Sequence, residues 1–136
     1  MCTANADIYF DETLGQLQSN LALNFTSTVY SLSKWTDWSP RQPFIELYPR
    51  IDSQDAWIFR SQLSQCVVDA STFAMGLPRC DNRIASILFE CGYDVLNLPF
   101  NIHAVEVMSE NRVDGLYSMD SAVIGEGEYV FLSNIL

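Results

Sequence analysis

Lysine is nearly missing from this chain: Lys34 stands alone, and seven basic residues in total face seventeen acidic ones. The net charge of -10 argues against nucleic acid or an anionic membrane as partner, because phosphate attraction needs clustered Lys and Arg and the arginines here are scattered. The acidic surface reads as a source of solubility ahead of cation binding. Long apolar runs are missing too. No stretch approaches the roughly 20 residues of a transmembrane helix, and the opening MCTANADIYF lacks both the basic segment and the apolar stretch of a secretory signal. Paired cysteines are also lacking. Cys2, Cys66, Cys80 and Cys91 are far apart, without the CxxC pairs of a zinc site or the density of a disulfide scaffold, so reduced, mostly buried thiols are expected. A single histidine, His103, reads as half-buried rather than as a ligand. One sequon, NFT at Asn24, has meaning only in a secretory lumen.

What is present suits one globular unit. The chain has 136 residues and 49% hydrophobic content, enough for a core. Strand and helix signals alternate along it. ADIYF (6–10) reads as a strand, followed by Asp11 as a helix cap and by Leu14, Leu17 and Leu21 on one helical face. FTSTVYSLS (25–33) is β-branched and aromatic, a strand. Residues 34–50, with three prolines and two tryptophans, read as a loop with an extended piece at 44–48. AWIFR (56–60) is a strand, and 61–79 a helical turn and then a loop. Asp81 is expected to cap a helix whose inner face is Ile84, Ile87, Leu88 and Cys91, and Gly92 to end it in the left-handed conformation. YDVLNLP (93–99), IHAVEVM (102–108) and EYVFL (128–132) complete the strands. The pattern is α/β: a mixed sheet with covering helices.

GLPRCDNRIASILFECGYDVLNLPFNIHAVEV (76–107) resembles a segment of glycosyltransferase-like proteins of the GT-A type, in which a "G-x-P-G-C-D-N-R-I-A" turn and helix leads into "A-G-Y-x-V-x-N-P-S". NADIYFDETL (5–14), LSKWTDW (32–38) and DSQDAWIFR (52–60) resemble further pieces of those proteins in the same order. The resemblance implies the C-terminal half of a GT-A domain, a nucleotide-sugar donor, and Mn²⁺ or Mg²⁺ when active. It places Asn5, Asp7 and Asp11 at the metal and donor phosphates, where hard oxygen ligands suit such cations. It places Asp52, Gln54, Asn82 and Arg83 on the acceptor side, with Asp55 or Asp81 as a general base. Each position also has a plain structural reading: Asp7 as a strand-end polar residue, Asp11 and Asp81 as caps, and Arg83 as a solvated charge or a partner of Asp52 or Asp55.

The departures from the pattern are specific. Glu106 and Met108 stand where the related proteins have histidines, and Arg79 replaces a glycine, which predicts a different backbone angle there. The acidic motif begins at residue 5, so the sequence leads to the expectation that a nucleotide-binding half is supplied elsewhere. Two readings follow: a non-catalytic descendant acting as a subunit or adaptor, or the acceptor and metal half of an enzyme completed by another segment or chain. A small acidic binding module is the third. In each of the first two a protein partner or self-association is expected, with ADIYF as an open edge and Trp35, Trp38, Trp57 and Phe44–Tyr48 adding aromatic contact area.

Overall fold

The computed structural model describes residues 1–19, 24–37, 45–60, 62–107 and 122–133. Eight strands run through it: β1 (Cys2–Ala4), β2 (Ile8–Phe10), β3 (Thr28–Leu32), β4 (Lys34–Asp37), β5 (Ile45–Leu47), β6 (Ala56–Ile58), β7 (Asp94–Asn97) and β8 (Ala104–Val107). A 3₁₀ turn (Glu12–Gly15) leads into α1 (Gln16–Ser19), and α2 (Gln65–Ala70) and α3 (Cys80–Glu90) lie between β6 and β7. The class is mixed α/β, but the strands form two sheets where one was expected. Their orders are β1-β6-β3-β7 and β2-β8-β4-β5. Each sheet has one parallel pairing at its centre or edge, β3 with β7 and β4 with β8, and antiparallel neighbours elsewhere.

The two sheets exchange chain at a few points. β3 and β4 are separated only by Ser33, and β7 and β8 by a short connection, so each passage supplies one strand to each sheet. Ser33 and Asn97 meet at this crossing, both fully buried. The Ser33 amide donates to Asn97 Oδ1 at 3.0 Å, Asn97 Nδ2 donates to Ser33 Oγ at 2.8 Å, and the Ser33 hydroxyl donates to the Arg50 carbonyl at 2.7 Å. The loop read over 34–50 is therefore a strand at its start. Lys34, Trp35, Thr36 and Asp37 form β4, and the proline-rich part that suggested a loop, 38–44, lies outside the described residues.

β3 explains its own centrality. Its sequence TVYSL is β-branched and aromatic, and all five residues are buried, as a strand covered on both faces requires. Alternation sends Val29 to one face, with Trp57, Val95, Ile87, Leu88 and Val67, and sends Tyr30 and Leu32 to the other, with Ile58, Leu98 and Ile102. Leu14 and Leu17 pack against the second cluster as the leucine spacing predicts; Leu21 lies outside the described residues.

α3 carries the inner face read from the sequence: Ile87 and Leu88 are buried, with Ile84 and Cys91 packed beside them. Its end is a Schellman motif. Gly92 has φ 85°, its amide donates to the Phe89 carbonyl at 3.0 Å, and that of Tyr93 donates to the Leu88 carbonyl at 2.9 Å. Its beginning corrects the sequence reading. Asp81 lies inside the first turn, and the cap position is Arg79, at φ 68° with no side-chain cap bond. Arg79 thus takes the left-handed backbone that favours glycine.

Two further expectations change. The 128–132 stretch is irregular apart from a single bridge between Asn97 and Leu132, because its amides serve other partners: Val130 donates to the Ile51 carbonyl and Glu128 to that of Asn82 in the first turn of α3. The cysteines are not all reduced: Cys66 and Cys91 form a disulfide joining α2 to the end of α3, with Cys2 exposed and Cys80 buried as free thiols. Spacing in sequence concealed a Cα separation of 5.8 Å. Among the described residues, no helix is long and apolar enough to cross a membrane.

Candidate functional site

The C-terminal end of β3 is where the dispersed motifs meet. The Asp55 amide donates to the Leu32 carbonyl at 2.9 Å, and the Asn5 amide donates to the Asp55 carbonyl at 3.0 Å, so three chain segments are stitched together by backbone alone. Side chains add to this. Asn5 Nδ2 donates to Asp55 Oδ1 at 3.0 Å, and Ser53 Oγ donates to Asp81 Oδ2 at 3.3 Å. The Gln54 amide also reaches the Asp81 carboxylate. Asn5, Ser53, Gln54, Asp55 and Asp81, separated by up to 76 positions, thereby share one place.

The electrostatics of that place are those of crowded acids. Burial raises Asp55 above the usual carboxylate range, and the charges of Glu106 and Asp7 add to the rise; the Lys34 ammonium and the Asn5 amide oppose it. Burial likewise raises Asp81 to about 6, helped by the Asp55 charge and opposed by bonds from Cys80, Ser53 and the Gln54 amide. The position of Asp81 in the first turn of α3 favours its anion by roughly 0.3–1 kcal/mol, too little to offset the burial. Beside the two aspartates, Lys34 Nζ and Glu106 Oε1 form an ion pair at 2.7 Å, with the Glu106 side chain 3% exposed.

The remaining site candidates go elsewhere. Asp11 accepts from the Thr13 amide at 2.9 Å, capping the 3₁₀ turn as read, and its other oxygen lies 2.7 Å from His103 Nδ1. Burial would raise the Asp11 pKa, but the bonds from Thr13 and His103 outweigh it and hold the carboxyl low. His103 is half-buried, tilted against Trp35. Asp52 pairs with Arg50, whose Nε donates at 2.8 Å. Gln54 is buried, with Nε2 donating to the Ile51 carbonyl. Asn82 and Arg83 hold the segment 123–130: Asn82 Nδ2 donates to the Glu128 carbonyl at 2.9 Å, and Arg83 Nη1 to that of Glu126 at 3.3 Å. The charged partner of Arg83 is Glu90 at 3.3 Å, not Asp52 or Asp55. Gly125 and Gly127 allow this docking, since a Cβ at either would come within 2.9 Å of Arg83 Nε or Asn82 Cβ.

The three residues proposed for metal each have partners within the chain. Asn5 is committed to Asp55 and Asp11 to Thr13 and His103, and Asp7 contributes its carbonyl to the Val107 amide. Among the described residues, no three His, Cys, Asp or Glu side chains are gathered in a way that would hold a metal. Met108 lies outside the described residues.

Sequence reasoning passed over Ser53, Lys34 and Asn97. Ser53 was visible inside the DSQD motif, and the solitary Lys34 at the head of an apolar strand was a signal that its charge has a fixed use. Nothing local marked Asn97, whose partners are 64 and 33 positions away. Comparison with protein-family models, curated proteins and solved structures found no match.

Proposed function

We propose that the chain is a glycosyltransferase-like domain of the GT-A type that acts as a non-catalytic subunit or adaptor. The observation that carries this reading is the convergence of NADIYFD, DSQD and CDNR, the three motifs of the resemblance, at the end of β3, with their polar groups bonded to one another. Lys34 supplies, from within the chain, a positive charge beside Glu106 and Asp55, the kind of charge balance that a divalent cation gives an acidic cluster. Asn82 and Arg83 serve the 123–130 segment in place of an acceptor.

A role as subunit draws on the edge formed by Cys2–Phe10. Among the described residues this segment supplies an edge strand to each sheet, β1 paired to β6 in one and β2 paired to β8 in the other. Beside β1 an apolar cavity of about 120 Å³ is lined by Thr3, Trp57, Phe59, Leu63 and Met75 among others. Open strand edges next to apolar surface are sites of chain association, so a protein partner or a second copy is the expected companion.

A second reading has one observation in its favour. Asp81 at about 6, hydrogen-bonded next to the raised Asp55, has the proton affinity of a general base working near neutral pH, as an acceptor sugar hydroxyl would need. Calorimetry of the full natural protein with MnCl₂, with and without a nucleoside diphosphate, distinguishes the two. The non-catalytic reading expects binding weaker than millimolar. Micromolar Mn²⁺ binding abolished by Asp7→Ala would restore the enzyme.

A further inference from the structure

We infer that Asn24 is an N-glycosylation site and that the chain matures in an oxidising secretory lumen. Two unrelated features lead there. The first is the disulfide between Cys66 and Cys91, since thiols held within bonding distance stay oxidised in secretory compartments and are kept reduced in the cytosol. The second is the disposition of the sequon Asn24-Phe25-Thr26.

That tripeptide is anchored by its middle and open at both ends. Phe25 is half-buried, its ring edge-on to Tyr30 at a centroid distance of 5.0 Å, while Asn24 and Thr26 are exposed. The backbone of Asn24 is held by Tyr30, whose hydroxyl accepts from the Asn24 amide at 2.6 Å and donates to the Asn24 carbonyl at 3.0 Å. Asn24 Oδ1 accepts from the Thr26 amide at 2.9 Å, and among the described residues no bond engages Nδ2, the atom that would carry the sugar. With Asn24 exposed, a glycan on Nδ2 would break none of these bonds. It would also stand clear of the acidic site: Asn24 precedes β3, the site follows it, and five strand residues span roughly 16 Å.

The transfer needs a lipid-diphosphate-linked oligosaccharide as co-substrate. Nδ2 attacks the anomeric carbon, the C–N bond forms as the bond from that carbon to the diphosphate oxygen breaks, the lipid diphosphate leaves with the electron pair, and the amide proton passes to a base of the transferase. The Cys66–Cys91 bond forms by exchange with a disulfide oxidant, which takes up the two electrons and two protons of the thiols.

The test uses the full protein, tagged and expressed from its own gene in its native cells, and mapped by peptide mass spectrometry without reduction. The expected result is a Cys66–Cys91 cross-linked peptide together with a glycan mass on the Asn24 peptide. Treatment with a peptide N-glycosidase should remove that mass and convert the acceptor amide to a carboxylate. Asn24→Gln and Thr26→Ala should each abolish the modification; Thr26→Ala keeps Asn24 and its Tyr30 contacts, so a folding defect in one variant does not obscure the other. A protein with the disulfide formed and Asn24 unmodified overturns the glycosylation site. Four free thiols in the native protein overturn the compartment.

Discussion

Replacing Asp81 by Asn should stabilise this protein at neutral pH and leave it nearly unchanged in mild acid. Folding raises the carboxyl from its ordinary value to about 6, chiefly by burial. Ionising Asp81 in the folded protein therefore costs roughly 3 kcal/mol more than in the unfolded chain. The folded pKa lies above the unfolded one, so the folded state binds the extra proton between about pH 4 and 6. The stabilisation linked to that proton is fully present below pH 4 and lost as pH rises through 6. Asparagine has no charge to bury but offers one acceptor oxygen where the carboxylate offers two to Ser53, Cys80 and the Gln54 amide. A lost bond of this kind returns about 1 kcal/mol. The net expectation is a gain of about 2 kcal/mol at pH 7.5 and a small loss at pH 4.5, read from urea unfolding of both proteins at each pH. A conventional cap would behave oppositely, with a loss of about 1 kcal/mol that does not shrink at neutral pH. Destabilisation of equal size at both pH values would refute the account of Asp81.

Lys34→Met should cost about 3–5 kcal/mol by taking the ammonium away from the buried Glu106 carboxylate, and Lys34→Met with Glu106→Gln should recover most of it; denaturant midpoints of the three proteins decide. Arg79→Gly should add about 0.5–1 kcal/mol by relieving a left-handed arginine, less a weak exposed bond to the Gly125 carbonyl, and a lowered melting temperature would contradict it. Cys66→Ser with Cys91→Ser should remove about 3.5 kcal/mol, the loop-closure value for a separation of 25 residues, seen as a fall of roughly 12 °C in Tm that reducing agent reproduces in the natural protein.

The legible parts of the fold were those set by local periodicity. The face of α3, the stop at Gly92 and the cap at Asp11 follow from spacing and backbone preference within a few residues, and each stands in the structure. What failed depended on distant partners. β4 has only four residues, and its strand character comes from β8 and β5 on either side, not from its own propensity. EYVFL has strong propensity, yet beside the edge strand β7 it forms one bridge to Asn97, its amides at Glu128 and Val130 being given to the Asn82 and Ile51 carbonyls. Asp81 looked like a cap because it precedes a helical pattern, but the turn at Gly76–Arg79 moves the cap to Arg79 and starts the helix earlier, at Cys80. At the site, residue types were readable and their pairings were not: Arg83 was matched to aspartates by charge, while the helix geometry gave it Glu90 and the 123–130 backbone.

Ser33 and Asn97 give the molecule a property that neither sheet would have alone. The β3–β4 and β7–β8 passages cross between sheets next to this pair, where the Asn97 amide accepts from the Ser33 backbone and donates to the Ser33 hydroxyl, and the two side chains also hold the Arg50 and Val130 carbonyls. A sliding motion of one sheet over the other would have to part all of these bonds together, at two residues shielded from solvent. The joint thus converts two four-stranded sheets, each small enough to be marginal, into one cooperative unit with a shared opening event. It also narrows what position 97 can hold. Aspartate accepts but cannot donate to Ser33 and Val130, leucine does neither, and an amide one carbon longer would misplace both ends.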